Sequence, residues 1–296
     1  MEETSSYQSF LKSPYKSTKH TTYFHIYDDL FSKYKGKDIT FVEIGVLGGG
    51  SLFMWRDFFG KEARIIGIDL NPSAKKWEKD GFEIFIGSQS DLNFWEEFSK
   101  KIQRIDVVLD DGGHTYEQQI LTTESLLPFI NDGGMLVVED THTSYMSRNF
   151  GLKRYSFMEY VKRQIDRINF RFGGFDYRSA ENRIWSIQTY ESIVAFHINK
   201  KATFISEQVE NGGAGDSDDF RLKDNPALTA FEKIEQKYSF IRLIPGINSL
   251  RRKSIRYTTK LSHFYNTKFH EALTKLGLLH HRCFEACTKQ GFNIGL

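Results

Sequence analysis

From residue 39 onward two hydrophobic rhythms alternate along the chain. Five runs are apolar on consecutive positions: ITFVEIG (39–45), ARIIGID (63–69), FEIFIG (82–87), IDVVLDD (105–111) and GMLVVED (134–140). Such runs are what strands carry when helices cover both faces of their sheet. The stretches between them, 50–59, 73–79, 91–103 and 116–130, read as helices. Strand and helix in alternation predict βαβ units around a parallel sheet. Ahead of this block, residues 1–38 read as a polar arm and a short helix from Tyr23 to Lys35, with Phe24, Tyr27, Leu30 and Phe31 at helical spacing. Past residue 140 a helix is expected from Tyr155 to Phe170, then a glycine-containing loop over 170–182. Two closely spaced runs follow, IWSIQTY (184–190) and SIVAFHI (192–198), which predict an antiparallel edge closing the sheet. The expected fold class is α/β, a Rossmann-like and mostly parallel sheet with an antiparallel edge strand. Its domain spans 39–200, and 201–296 forms a mainly helical C-terminal extension.

The extension differs in charge from the rest. Residues 206–226 are acidic and glycine-rich and read as a mobile loop. Between Arg242 and Lys289 stand ten Lys or Arg against two acids, Glu271 and Glu285, interleaved with aromatics. That mixture suits an anionic membrane surface, nucleic acid or an acidic saccharide. The plainer reading is a helical tail packed on the main domain with a solvated basic face. The whole chain carries a formal charge of only +2, so no nucleic-acid partner is expected, and peripheral membrane association stays open through the tail alone. A homodimer is the default expectation. Cys283 and Cys287 are too few for a metal site and fit a reducing compartment. The first 25 residues lack the apolar run of a secretion signal, and no window approaches the roughly 18 apolar residues of a membrane span. A cytoplasmic protein is expected.

The candidate chemistry sits where strands end. Glu43-Ile44-Gly45-Val46-Leu47-Gly48-Gly49-Gly50-Ser51 leaves the first strand and opens the first helix. Gly45 and Gly48 allow a tight turn and close approach of a ligand, and Ser51 stands at a helix N-terminus with its positive dipole end. The loop alone would serve a dinucleotide, another nucleotide or a merely structural turn. Glu43 changes the balance, because a carboxylate there repels a pyrophosphate and suits the ammonium of a methionine moiety. Asp69 ends the second strand, where a carboxylate accepts both hydroxyls of a ribose. After the third strand, Ser88 and Gln89 could meet an adenine edge; a helix-capping role for Ser88 or Ser90 is the alternative.

Two consecutive strands then end in acids, LDDGGH (109–114) and VEDTHTSY (138–145). If those strands are neighbours, about 4.8 Å apart, Asp111, Glu139 and Asp140 converge. Three such carboxylates repel one another unless a cation neutralises them. A hard divalent ion with oxygen ligands, Mg2+ or a relative, is the simplest solution. His114, three residues past Asp111, is the candidate general base, with His142 ranked second for that role or as a ligand.

At this point the motifs resemble a known family. FVEIGVLGGGSLFMW, IGIDL, GSQSD, VVLDDGGHTYEQQ, LLPFINDGGMLVVEDTHTSY and IQTYESIVAF together look like the metal-dependent sugar O-methyltransferases, including those that methylate deoxysugars on macrolide and tetracenomycin antibiotics. The resemblance covers roughly 39–198 and implies a class I methyltransferase sheet of seven strands. It implies S-adenosylmethionine at Glu43, Gly45 and Asp69, beside which Gly48, Ser51, Ser88, Gln89 and Asp110 are further candidate donor contacts; Ser88 stands where many methyltransferases carry an acid. It also implies a divalent cation at Asp111, Glu139 and Asp140, and His114 as base. The acceptor would be a saccharide or another hydroxyl-bearing small molecule. A catechol-like acceptor, or a nucleotide- or NAD-binding protein, remain the alternatives.

Overall fold

The computed structural model describes residues 2–102, 104–146, 150–169, 171, 184–213, 215, 226–238, 240, 245–258 and 260. It opens with two helices, α1 (Ser5–Lys12) and α2 (Tyr23–Phe31). Helix α1 lies inside the stretch expected to be a featureless polar arm. Its first turn is held from a distance, because the Asp28 carboxylate accepts the Ser5 and Ser6 N–H groups at 2.7 and 2.9 Å. A cap supplied by another helix leaves no pattern in the local sequence.

The five apolar runs become β1 (Thr40–Ile44), β2 (Arg64–Asp69), β3 (Glu83–Ile86), β4 (Ile105–Asp110) and β5 (Ile130–Val138). Between them lie α3 (Gly50–Phe59), a 3-10 segment over Pro72–Asp80, α4 (Leu92–Lys101) and α5 (Tyr116–Leu126). After β5 come α6 (Phe157–Asn169) and the strands β6 (Ile184–Tyr190) and β7 (Ile193–Ile198). Strand β5 starts four residues before its apolar run, because Ile130 already pairs with Ile105 before a register shift. Asn131, whose polarity reads as a helix end, donates to Asp106 at 3.0 Å instead.

The sheet has the order β3-β2-β1-β4-β5-β7-β6. The first five strands are parallel, and β7 runs antiparallel between β5 and β6. The expected antiparallel edge is therefore present as a hairpin, with the later strand inside and the earlier one outermost. Each strand sends alternate residues to opposite faces. Phe41 enters a layer rich in aromatics with Tyr27, Phe31, Trp55 and Phe59, whereas Val42 and Ile44 face a second core with Trp95, Phe98 and Phe157. Trp55 organises the first layer, with the rings of Tyr27, Phe41 and Phe31 centred 5.0, 5.1 and 5.5 Å away. Burying a side chain of this size stabilises by about 1.5–3 kcal/mol, so α2 and α3 are firmly seated beneath the edge where the strands end.

The chain divides into two compact units, Met1–Val209 and Glu210–Leu296. In the second, α7 (Pro226–Lys237) precedes a helical run over 247–258. There Arg251 faces Glu232 and Glu235 at 4.0 and 3.8 Å, so part of the basic segment is answered within its own unit. Much of the acidic stretch, 216–225, and the tail from 261 with Cys283 and Cys287 lie outside the described residues. Among the described residues no helix is long and apolar enough to cross a membrane.

Candidate active site

The register of the three central strands brings the candidate residues together. Ile44 pairs with Asp110, and Asp110 with Val138, so β1, β4 and β5 end at one level. The chain continues from them in step, with Asp111 N–H donating to Ile44 O at 3.0 Å and Glu139 N–H to Asp110 O at 2.9 Å. Here strand order reverses direction, since β2 and β3 extend to one side of β1 and β4 and β5 to the other. Ligands of open α/β sheets bind in the crevice at such a switch point. The crevice is a cavity of about 430 Å³ whose wall includes Gly45, Asp69, Ser88, Gln89, Asp111 and His114.

Four of the eight expected donor-binding residues stand on that wall, and four do not. Asp69 braces the loop: its carboxylate accepts Val46 and Leu47 N–H at 2.9 and 2.8 Å, and Asn71 N–H at 2.8 Å. Gly45 takes φ +93°, and a Cβ there would stand 2.0 Å from the Asp111 carbonyl oxygen. A side chain would therefore push the first loop off the fourth strand. Gly45→Ala is expected to cost about 3 kcal/mol or more; an unchanged urea midpoint would contradict this packing. Ser88 turns its hydroxyl to Ser90 N–H, and the cap of α4 is Asp91 rather than either serine. Gln89 ties two loops together, donating to Asp110 at 2.8 Å and accepting Gly113 N–H at 2.7 Å.

Glu43, Gly48, Ser51 and Asp110 lie behind the wall. The Glu43 carboxylate is fully buried under the aromatic layer, accepting from Ser51 Oγ at 2.9 Å and Trp55 Nε1 at 3.1 Å. Burial pushes it up to about 7. Asp110 is likewise buried, and burial raises its carboxyl to about 7. Glu43 thereby ties β1 to α3, and Asp110 joins the loop after β3 to the turn after β4 through Gln89 and Gly112. Gly48 faces the backbone of Lys16.

The acid–histidine cluster is compact. Asp111, His114 and Asp140 can each direct one ligand atom into a space where all three lie within 4.8 Å of one another. His114 Nε2 is 3.4 Å from Asp140 Oδ2 and 4.0 Å from Asp111 Oδ1. His114 and Asp140 both adopt left-handed backbone conformations, φ +59° and +54°. Non-glycine residues are seldom held there, and such conformations gather at functional sites. The two carboxylates, partly exposed toward the cavity, fit a hard divalent ion with oxygen ligands, and the imidazole beside them is placed to take a proton.

Glu139 is set apart from that trio. Its side chain is buried, with Oε1 accepting from Tyr27 Oη at 2.5 Å and Oε2 from Lys19 Nζ at 3.0 Å. The same ammonium lies 2.5 Å from Asp111 Oδ2. Burial opposes the charge on Lys19, but Asp111 and Glu139 outweigh it and hold the ammonium protonated. Burial raises the Glu139 carboxyl against that pull. Tyr23 Oη completes the surround by donating to Asp140 Oδ1 at 2.5 Å. Sequence reading missed Lys19 and Tyr23. Nothing marks a single lysine in a polar arm 92 residues from its partner Asp111.

His142 turns away from the donor cavity. Its Nδ1 is 2.5 Å from Ser192 Oγ and 3.9 Å from Asp140 Oδ1. It lines a second cavity, about 490 Å³, with His20, Tyr23, Tyr145 and Tyr190. Asp140 and Tyr23 thus stand between two chambers, one edged by the glycine loop and one by aromatic rings.

Sheet order, switch-point crevice and antiparallel hairpin are those of the class I methyltransferase fold. Residues 42–141 match the family model described as a methyltransferase domain. Over 204 residues the chain is 28% identical to the 8-demethyl-8-alpha-L-rhamnosyl tetracenomycin-C 2'-O-methyltransferase of Streptomyces olivaceus, covering 66% of this chain and 52% of that protein. It is 33% identical over 126 residues to the mycinamicin VI 2''-O-methyltransferase of Micromonospora griseorubida, 40% of this chain and 31% of that one. A solved structure of the methyltransferase MycE from the mycinamycin biosynthetic pathway, in complex with Mg and SAH, superposes with TM-score 0.55 at 26% identity, covering 60% of this chain and 48% of its own. The chain thus spans about half the length, or less, of these relatives. The resemblance read from the motifs is borne out by sequence and by fold.

Proposed function

We propose that the protein is an S-adenosylmethionine-dependent, divalent-cation-assisted O-methyltransferase acting on a sugar hydroxyl of a glycoside, polysaccharide or nucleotide-linked precursor. The observation that carries this is the junction of a nucleoside-sized cavity with the Asp111–His114–Asp140 cluster at its floor. The relatives' names support the reaction, and one solved relative holds Mg and SAH.

In this reading Asp69 and the loop after β1 hold the donor, and Ser88 and Gln89 border its base. The aromatic chamber beside His142 receives the acceptor, since Tyr and His rings offer faces on which a sugar ring packs. Asp111 and Asp140 would hold the cation, with Glu139 behind them, and a divalent ion supplies Lewis-acid lowering of a nearby hydroxyl's pKa. His114 Nε2 takes the hydroxyl proton. The oxygen then attacks the sulfonium methyl carbon as the carbon–sulfur bond breaks, leaving a neutral thioether. Asp140 Oδ2, 3.4 Å from Nε2, stabilises the imidazolium that forms. Asp140, on the donor cavity, is hydrogen-bonded to Tyr23 on the second one, so in this reading orientation of two bound substrates contributes much of the acceleration.

Calorimetry tests the donor half. S-adenosylmethionine is expected to bind and NAD not to. Asp69→Ala, which removes a charged acceptor of three N–H groups, is expected to weaken donor binding by about 10–100-fold. Preference for NAD, or unchanged donor affinity in the variant, would overturn the assignment.

A further inference from the structure

The segment joining α1 to α2, residues 13–22, crosses the glycine loop as a strap. Ser13 Oγ donates to Gly50 O at 2.7 Å. A Cβ on Gly50 would stand 2.4 Å from Tyr15 O. Glycine at position 50 therefore lets one backbone lie directly on the other. Tyr15 packs on Phe53 and Trp77, its ring centre 5.0 and 4.4 Å from theirs. Thr18 reaches the wall of the donor cavity. The next residue, Lys19, leaves the strap and turns into the protein, its side chain 2% exposed. Its ammonium fastens the strap to the ends of two strands, β4 through Asp111 and β5 through Glu139.

We propose that Lys19 is a built-in counter-cation that competes with a divalent ion for the Asp111 carboxylate, so that ion binding draws Lys19 off Asp111 and loosens the 13–22 strap over the donor cavity. This rests on the cation-dependent reading of the cluster. Asp111 offers Oδ1 toward His114 while Oδ2 holds the ammonium, and Glu139 has one oxygen on Lys19 and the other on Tyr27. A divalent ion drawing on Asp111 would sit within a few ångströms of the ammonium, and like charges so close in a partly buried site repel strongly. A lysine can yield, because its charge ends a flexible four-carbon stem. Without the ion, Lys19 satisfies acids that would otherwise face one another unpaired. With the ion on Asp111, Lys19 keeps only its contact to Glu139, and the innermost anchor of the strap is weakened.

The coupling has a measurable size. Where a pinned state dominates the ion-free protein by ten to one, apparent ion affinity is reduced about tenfold. Calorimetric titration of Mg2+ into the full chain is therefore expected to show Lys19→Met binding about tenfold or more tighter than wild type, and Lys19→Arg binding no tighter. Hydrogen exchange supplies an independent reading on wild-type protein, whatever the folding of the variants. Amides of residues 13–22 are expected to exchange faster at saturating Mg2+ than without it. A Lys19→Met protein that binds Mg2+ no more tightly than wild type overturns the competition. A wild-type strap whose exchange is unmoved by saturating Mg2+ overturns the release. Absence of Mg2+ binding in every protein would overturn both this and the cation reading on which it rests, which separates the two failures.

Discussion

His114→Asn is expected to lower turnover by about 10²–10⁴-fold, the usual contribution of a positioned general base, with donor affinity nearly unchanged. Asparagine is the informative replacement because His114 holds φ +59°, a conformation asparagine tolerates better than alanine. The backbone of the Asp111–His114 turn is therefore kept while the proton acceptor is lost. The imidazole lies beside Asp140 and Asp111, and the glycine loop braced by Asp69 is untouched by the replacement. Single-turnover kinetics with calorimetry on the same preparation separates the two effects. Turnover at the normal rate would remove His114 from the chemistry. His142→Asn is expected to act more weakly and on the acceptor side, since that ring lines the second chamber. A loss confined to the His142 variant would exchange the two roles.

Removal of the cation is expected to be at least as severe. Excess chelator should abolish methyl transfer and added Mg2+ restore it, because charge stabilisation by a bound ion is worth several kcal/mol, about 10³-fold in rate or more. Asp140→Asn makes the same test within the protein. It keeps a residue that tolerates φ +54° and an oxygen acceptor, but removes the negative charge that an ion needs. The variant should demand more Mg2+ for half-maximal activity, and donor binding should be spared. Full activity in excess chelator would contradict the cation claim outright.

What the sequence discloses here is set by how local each cause is. Consecutive apolar runs reveal β1 to β5 because burial on both faces of a parallel strand is written into every residue of it. The two acidic motifs predict Asp111, Glu139 and Asp140 together; strand ends meeting at one level do bring Asp111 and Asp140 beside His114, whereas Glu139 is taken up by Tyr27 and Lys19. Helix α1 escapes because its cap, Asp28, belongs to another helix. Glu43 was expected to face the methionine moiety on the strength of its position at a strand end. In the fold the carboxylate lies on the aromatic face, where Trp55 and Ser51 take it up. Periodicity places a residue at a strand end without telling which neighbour claims its side chain. Lys19 is the clearest omission. The repulsion that called for a cation was legible in the acids, yet an ammonium from the N-terminal arm answers part of it, and only tertiary structure carries that partnership.

The most direct test is transfer of a labelled methyl group. The full chain would be incubated with S-adenosylmethionine bearing a deuterated methyl, with Mg2+, and with a panel of deoxysugar glycosides, nucleotide-linked sugars and polysaccharide fragments, followed by mass spectrometry with fragmentation. The expected result is a saccharide carrying the labelled methyl on oxygen, formed in step with S-adenosylhomocysteine and lost in the His114→Asn protein. Labelled methyl found only on nitrogen or carbon, or a labelled saccharide formed equally well by His114→Asn, would contradict metal-assisted O-methyl transfer at this site.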